Sequence, residues 1–267
     1  MIDFLLGHEG ALRLSCFVAV LLIMLGWEQA SPRRAPSTPR RARRLVNLSL
    51  VVIDAALLWL FLPAAAVGAS LFAGAHGWGL FNTVAAPPWL GALVTVVALD
   101  LAVWAQHVAM HKVGPLWRLH RVHHSDLDFD TTTGIRFHPL EIFLSTIYKA
   151  VVVVVLGAPV AAVIAFEILL NASSLFAHGN VRLPPAVDET IRRVVVTPDM
   201  HRVHHSVRRQ ETDSNYGFNL SVWDRLFGTY RAQPRAGHDG MIIGLPQFRR
   251  SREQRLDRLL LQPLLRE

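Results

Sequence analysis

The string "HRVHH" occurs twice in this chain, at His120–His124 and again at His201–His205. Any fold must account for six imidazoles packed into two five-residue strings. On a helix the first histidine of each string meets the other two at i+3 and i+4. His120, His123 and His124 therefore converge, and His201, His204 and His205 repeat the arrangement. "HVAMH" places His107 and His111 one turn apart on one helical face, and His178 in "FAHGN" is a ninth candidate. Neutral imidazole suits iron, zinc, copper or nickel, and nine donors exceed the about four to six that one ion uses. The count argues for two metals. A lone histidine is usually a surface or core residue, and His8, His76 and His238 are read that way.

The rest of the chain is built for a membrane. Hydrophobic residues make up 52% of its 267 residues and charged ones only 18%, an unusual balance for a soluble globule. Its one cysteine, Cys16, lies in an apolar run, which rules out a disulfide framework or a thiolate metal site. The formal charge of +7 comes from arginines clustered beside apolar stretches. They read as lipid anchors and topology signals rather than as a nucleic-acid surface.

Four apolar runs stand out: Leu14–Trp27, with Arg13 snorkelling at its start; Leu45–Ala73, interrupted by Asp54; Trp89–Gln106, containing Asp100; and Ile142–Ala177. The first lacks a basic leader and a small-residue cleavage site, so it reads as a retained helix. "SPRRAPSTPRRARR" follows it as an exposed loop, cytoplasmic by its charge. Counting spans from that loop puts His107, His111 and the first "HRVHH" on the cytoplasmic side. Ile142–Ala177 is broken by "GAP" at Gly157–Pro159, and an in-and-out hairpin returns His178 and His201 to the same face. That hairpin is a consequence of assuming one metal centre. The ending "FRRSREQRLDRLLLQPLLRE" is a basic amphipathic segment suited to the membrane surface or to solvent.

The expected architecture is all-α and integral to the membrane, with about four spans plus the hairpin break and a cytoplasmic histidine-rich helical cap. Residues 1–88 form an N-terminal membrane region, 89–232 the catalytic domain and 233–267 the tail. "HExxH" is absent, which disfavours a zincin peptidase. The Glu-x-x-His signature of carboxylate-bridged bundles is missing too. An all-histidine, two-metal site beside apolar helices suits oxygen activation against an unactivated C–H bond.

HxxxH at His107–His111 and HxxHH at His120–His124 and His201–His205 resemble the fatty acid hydroxylase/sterol desaturase family of membrane di-iron oxygenases. "RFHPLE", "AHGNVRLP", "VVTPDMHRVHHS" and "ETDSNYGFNLSVWDRLFGTY" are similar to bacterial members. The likeness covers roughly residues 90–230. It implies two iron ions held by the eight motif histidines and His178, with O2 as co-substrate. It also implies hydroxylation or desaturation of a membrane lipid or fatty acyl chain, and electrons from a separate reductase or electron-transfer protein. Some members carry a further histidine where this chain has Ser174. Asp100 and Glu167, with Asn171 on the latter's face, are candidates to orient histidine N–H groups. Asn215 is a candidate to position a histidine, Asp224 to pair with an arginine, and His138 is divided between a turn role and the metal site. Two other functions compete: an ether-lipid monooxygenase of the same superfamily and, from a different class, a metal transporter or metal-binding membrane protein. Transporters place ligands at mid-membrane, whereas these clusters end the spans. The arginine- and alanine-rich composition suggests a bacterial inner membrane.

Overall fold

The computed structural model describes residues 2–62 and 65–265, with side chains from residue 7 onward. Long apolar helices carry a cap of short helices and loops at one end, and the described residues contain no extended strand. The helices used below are α1 (Ile2–Ala30), α2 (Arg40–Phe61), α3 (Ala65–His76), α4 (Pro88–Lys112), α5 (Gly114–His124), α6 (Pro139–Leu156), α7 (Val160–Ala177), α8 (Pro198–His204) and α9 (Leu256–Leu261). Five segments are long and apolar enough to cross a bilayer: 7–30, 40–83, 88–112, 139–156 and 160–177. The eighteen residues of α6 or α7 extend about 27 Å as helix, close to the hydrocarbon thickness of a bilayer.

The hairpin between α6 and α7 forms as the "GAP" string implies. Gly157 takes the left-handed conformation (φ 60°) that closes α6, and Pro159 opens α7, the usual division of labour between those residues. A Cβ on Gly79 would lie 2.1 Å from Gly157 N. Two backbones touch there, and only glycine allows it. Both open ends of the hairpin, His138 and His178, lie at the cap.

Three expectations about the spans change. The run 45–73 is not one helix: α2 ends at Phe61, and α3 then packs beside α6 and reaches the hairpin turn, where Ser70 donates to Ala158 O at 2.5 Å. Arg13 does not snorkel outward. It pairs with Glu9 at 3.2 Å and Glu167 at 2.9 Å inside the bundle, because a guanidinium among apolar helices is stabilised by a carboxylate. The arginine-rich loop is not a free exposed loop either. Arg43 binds Asp126 and Asp130, Arg44 binds Glu28 and Asp130, and Arg33 binds Asp199 and Asp239. Five carboxylates supply the partners, so most of this charge ties the loop and the start of α2 to the cap instead of facing water.

Leu99, Val103, Val153, Val163 and Phe166 interlock α4, α6 and α7 into the main apolar core. Trp59, Leu22 and Val155 stay outward, as lipid-facing side chains do. At the C-terminus, Leu259 of α9 is fully buried with Leu50 and Val122, so the apolar side of the tail covers α5 rather than standing apart from the cap.

Candidate metal centre

Each "HRVHH" string is a short helix whose two non-histidine residues are structural struts. Val122 and Val203 are completely buried. Arg121 donates to Leu265 O at 2.7 Å and lies over the Phe248 ring, while Arg202 pairs with Asp199 and lies over Phe129. Thr197 caps α8 by accepting from Met200 N, and Pro198 starts it. The arginines thus clamp each helix from outside while its histidines point inward.

All nine histidines are buried, and they separate into two groups. His107, His111, His120, His124 and His204 form one; His123, His178, His201 and His205 form the other. Within each, the potential ligand atoms lie within 4.8 Å of one another. The two strings cross: the first gives two histidines to the five-membered group and one to the other, and the second does the reverse. His124 and His205 stack at 4.6 Å where the groups meet.

Nitrogen geometry shows what the groups can hold. His107 Nδ1 donates to Tyr216 O at 2.7 Å, His120 Nδ1 to Glu141 Oε1 at 2.6 Å, and His178 Nδ1 to Ser174 O at 2.7 Å. Carbonyl and carboxylate oxygens only accept, so each Nδ1 carries the proton and each Nε2 is a bare lone pair. Yet His107 Nε2 stands 3.1 Å from His120 Nε2. His178 Nε2 stands 3.2 Å from those of His123 and His205 and 3.1 Å from that of His201. The facing lone pairs of His107 and His120 repel at that distance unless a cation lies between them, and the single lone pair of His178 cannot accept from all three rings around it. With metal–nitrogen bonds of about 2.1 Å, adjacent ligands fall about 3.0 to 3.4 Å apart, which matches. His111 Nε2 and His204 Nε2 are buried without partners, while their Nδ1 atoms face Asp213 Oδ1 and Ser214 O. The donor set therefore fits two metal ions.

Burial keeps these rings neutral, as metal ligation requires. It lowers His120 to about 3 and His178 to about 4, and holds His123, His124, His201, His204 and His205 well below 6.5.

The supporting residues differ from those expected. Asp100 accepts from Asn219, Leu220 N and Trp223: it anchors the loop beside α4, since the neighbouring amide and indole donors reach it and no histidine N–H does. Glu167 is held by Arg13 and Lys149, and Asn171 donates to Glu167 O, so both face inward from α7 and neither bonds a ring. His138 caps α6, accepting from Leu140 N with its Nε2 on Leu260 O, the turn role its proline neighbour suggested. Asp224 takes its bonds from Trp104, Tyr216 N, Gly217 N and Thr229 rather than from an arginine. Asn215, at φ 53°, bonds Met200 O, Arg231 O and Arg231 N. It braces the backbone between Ser214 and Tyr216, whose carbonyls hold His204 and His107. Ser174 donates to Gly134 O at 2.9 Å and lies outside the four-histidine group. Sequence reading missed Glu141 and Asp213; Glu141 stood in "RFHPLE", three residues after the histidine that drew attention.

A cavity of about 310 Å³ opens against the five-histidine group. His107 and His120 line its head, and Val51, Val103, Phe137 and Phe218 form much of its wall.

A family model described as fatty acid hydroxylase matches residues 92–229, which contain all nine histidines. Alkylglycerol monooxygenase from Homo sapiens is 31% identical over 169 residues, 62% of this chain and 35% of that protein. The ornithine lipid hydroxylase of Rhizobium tropici is 31% identical over 154 residues, 55% of this chain and 44% of that one. Lathosterol oxidase from Mus musculus is 22% identical over 200 residues, 72% and 64% of the two chains. The chain thus spans less than half the length of the first two relatives, and no solved structure matches. With the family model covering 138 of 267 residues (92–229) and both histidine groups inside the match, the chain belongs to the fatty acid hydroxylase family.

Proposed function

We propose that this protein is an O2-dependent lipid hydroxylase that holds two iron ions in its five- and four-histidine groups. The observation that carries this reading is a pair of groups of buried, neutral imidazoles, nine rings in all, of which His107 and His120 line a mainly apolar cavity inside a membrane bundle. Iron, when bound, supplies activation of O2 against an unactivated C–H bond. Overall, a methylene and O2 with two electrons and two protons give an alcohol and water. A second hydrogen abstraction in place of oxygen insertion gives a desaturated product.

The chain's own residues do the rest. Tyr216 O, Ser214 O, Ser174 O and Glu141 fix the tautomer and rotation of the rings they touch, so the lone pairs are aimed before metal arrives. Val103, Phe137 and Phe218 present an apolar wall to an alkyl chain and exclude water from the reacting carbon. The electrons come from a separate electron-transfer protein.

The histidine end shares its side of the membrane with the arginines of 33–44, which supports a cytoplasmic orientation, in a bacterial inner membrane. A second reading, oxidation beside the ether oxygen of an ether lipid, is favoured by the similarity to the human alkylglycerol enzyme. The test is anaerobic purification in mild detergent with metal analysis, followed by a lipid screen under isotopic O2. About two irons per chain and isotopic oxygen in a lipid alcohol support the hydroxylase; an aldehyde released from an ether lipid supports the second reading. A single tightly held zinc, or metal that exchanges freely, overturns both.

A further inference from the structure

Asp54 lies two helical turns beyond Asn47 on α2, so it sits about 10 Å deeper in the bundle than the cap. It is 7% exposed, and it lines the same cavity as His107 and His120. Its Oδ1 is buried without a hydrogen-bond partner, and no ion pair reaches the side chain among the described residues. The cations that could neutralise it are engaged elsewhere. Arg13 and Lys149, which also line the cavity, both bind Glu167, and Arg43 and Arg44 bind carboxylates at the cap. Glu141, which lines the same cavity, adds a second unfilled acceptor: its Oε1 holds His120 while Oε2 has no donor.

A buried carboxyl without a donor destabilises a fold, and inside a membrane bundle such a group points to function. A bare alkyl chain gives it nothing. An ammonium would satisfy it only in the ionised form. A hydroxyl satisfies it in either form, donating to a carboxylate or bonding reciprocally with a carboxylic acid.

We propose that Asp54 is the specificity residue of this cavity, accepting a hydrogen bond from a hydroxyl carried by the lipid substrate. This rests on the cavity being the substrate chamber of the hydroxylase proposed above. Asp54 does not touch the reacting carbon; by holding the hydroxyl at a fixed depth it selects which methylene lies against His107 and His120.

The test measures equilibrium binding of labelled 1-hexadecanol and hexadecane to the full-length, metal-free protein in detergent. Wild type is expected to favour the alcohol about tenfold, the worth of one net hydrogen bond. Asp54→Leu is expected to bind both equally, and Asp54→Asn, which keeps an acceptor oxygen, to retain part of the preference. Without ligand, Asp54→Leu should melt at the same temperature as wild type or higher, because an unsatisfied carboxyl has been removed. No preference in wild type, an unchanged preference in Asp54→Leu, or a lowered melting temperature in both variants would overturn the assignment, the last showing a structural role or a bound water only. Binding needs neither iron nor O2. Alcohol preference without oxygen incorporation would therefore sink the hydroxylase reading and leave Asp54 as a ligand site.

Discussion

His107 Nε2 and His120 Nε2 face each other at 3.1 Å, each a lone pair, because their Nδ1 protons are given to Tyr216 O and Glu141. The metal-free protein must bear that repulsion, and also the crowding of three ring nitrogens around the one lone pair of His178. Chelation under anaerobic conditions is therefore expected to lower the melting temperature, and restoring metal to raise it, by an amount that grows with free metal concentration. His204→Ala, which strips one donor from the five-histidine group, should reduce metal content by about one ion per chain. His123→Ala should do the same through the other group. A melting temperature indifferent to chelator would mean that the imidazoles hold no ion.

The metal-free protein should also be acid-sensitive. Burial lowers His120 to about 3 and His178 to about 4, from 6.5. A depressed folded-state value means that the unfolded chain takes up protons first as pH falls. The stability associated with the neutral rings is complete above about pH 6.5 and declines through the window from 6.5 to about 4, with His120 extending it lower. Thermal melts of the stripped protein at stepped pH values check this. A flat profile between pH 7 and 4.5 would show that the rings are solvated, contrary to their burial.

Much of the architecture was legible because it follows from patterns that repeat. Histidines at i, i+3 and i+4 fall on one face of any helix, and "GAP" within an apolar run has few alternatives to a turn. The division into five and four was not legible, because it depends on how α5 and α8 cross, which no local spacing encodes. The ring-orienting groups were hidden for a related reason. Ser214, Tyr216 and Ser174 act through backbone carbonyls that every residue possesses. The acids at Asp100 and Glu167 drew attention by standing inside spans, but nearer donors claimed them: Trp223 and Asn219 for the first, Arg13 and Lys149 for the second. The arginines of "SPRRAPSTPRRARR" misled because charge density alone does not show that Asp126, Asp130 and Glu28 wait across the cap.

Gly134 offers a test of the four-histidine group that leaves every ligand in place. A Cβ there would lie 2.8 Å from Ser174 O and 2.9 Å from His178 Nδ1, closer than packing tolerates. Gly134→Ala must push on the Ser174 carbonyl, which fixes the His178 ring. The substitution should weaken the metal bound by His123, His178, His201 and His205 while sparing the five-histidine group. Stepwise chelator titration reads the two ions separately, and equal weakening of both, or of neither, would refute the close approach.

Glu141 separates orientation from ligation. Its Oε1 accepts from His120 Nδ1 at 2.6 Å, and the residue is 4% exposed. Glu141→Ala leaves that N–H buried without an acceptor and frees the ring to rotate. Metal affinity in the five-histidine group should fall about 10- to 100-fold, the usual loss when such a partner is removed. Glu141→Gln keeps a carbonyl oxygen at the same reach, so its loss should be several-fold smaller. Competition with a chelator of known affinity, run on both variants alongside His120→Ala, gives the comparison. If glutamine is as damaging as alanine, the negative charge of Glu141 and not its hydrogen bond supports the ring. If neither variant differs from wild type, the imidazole of His120 is held by its helix alone.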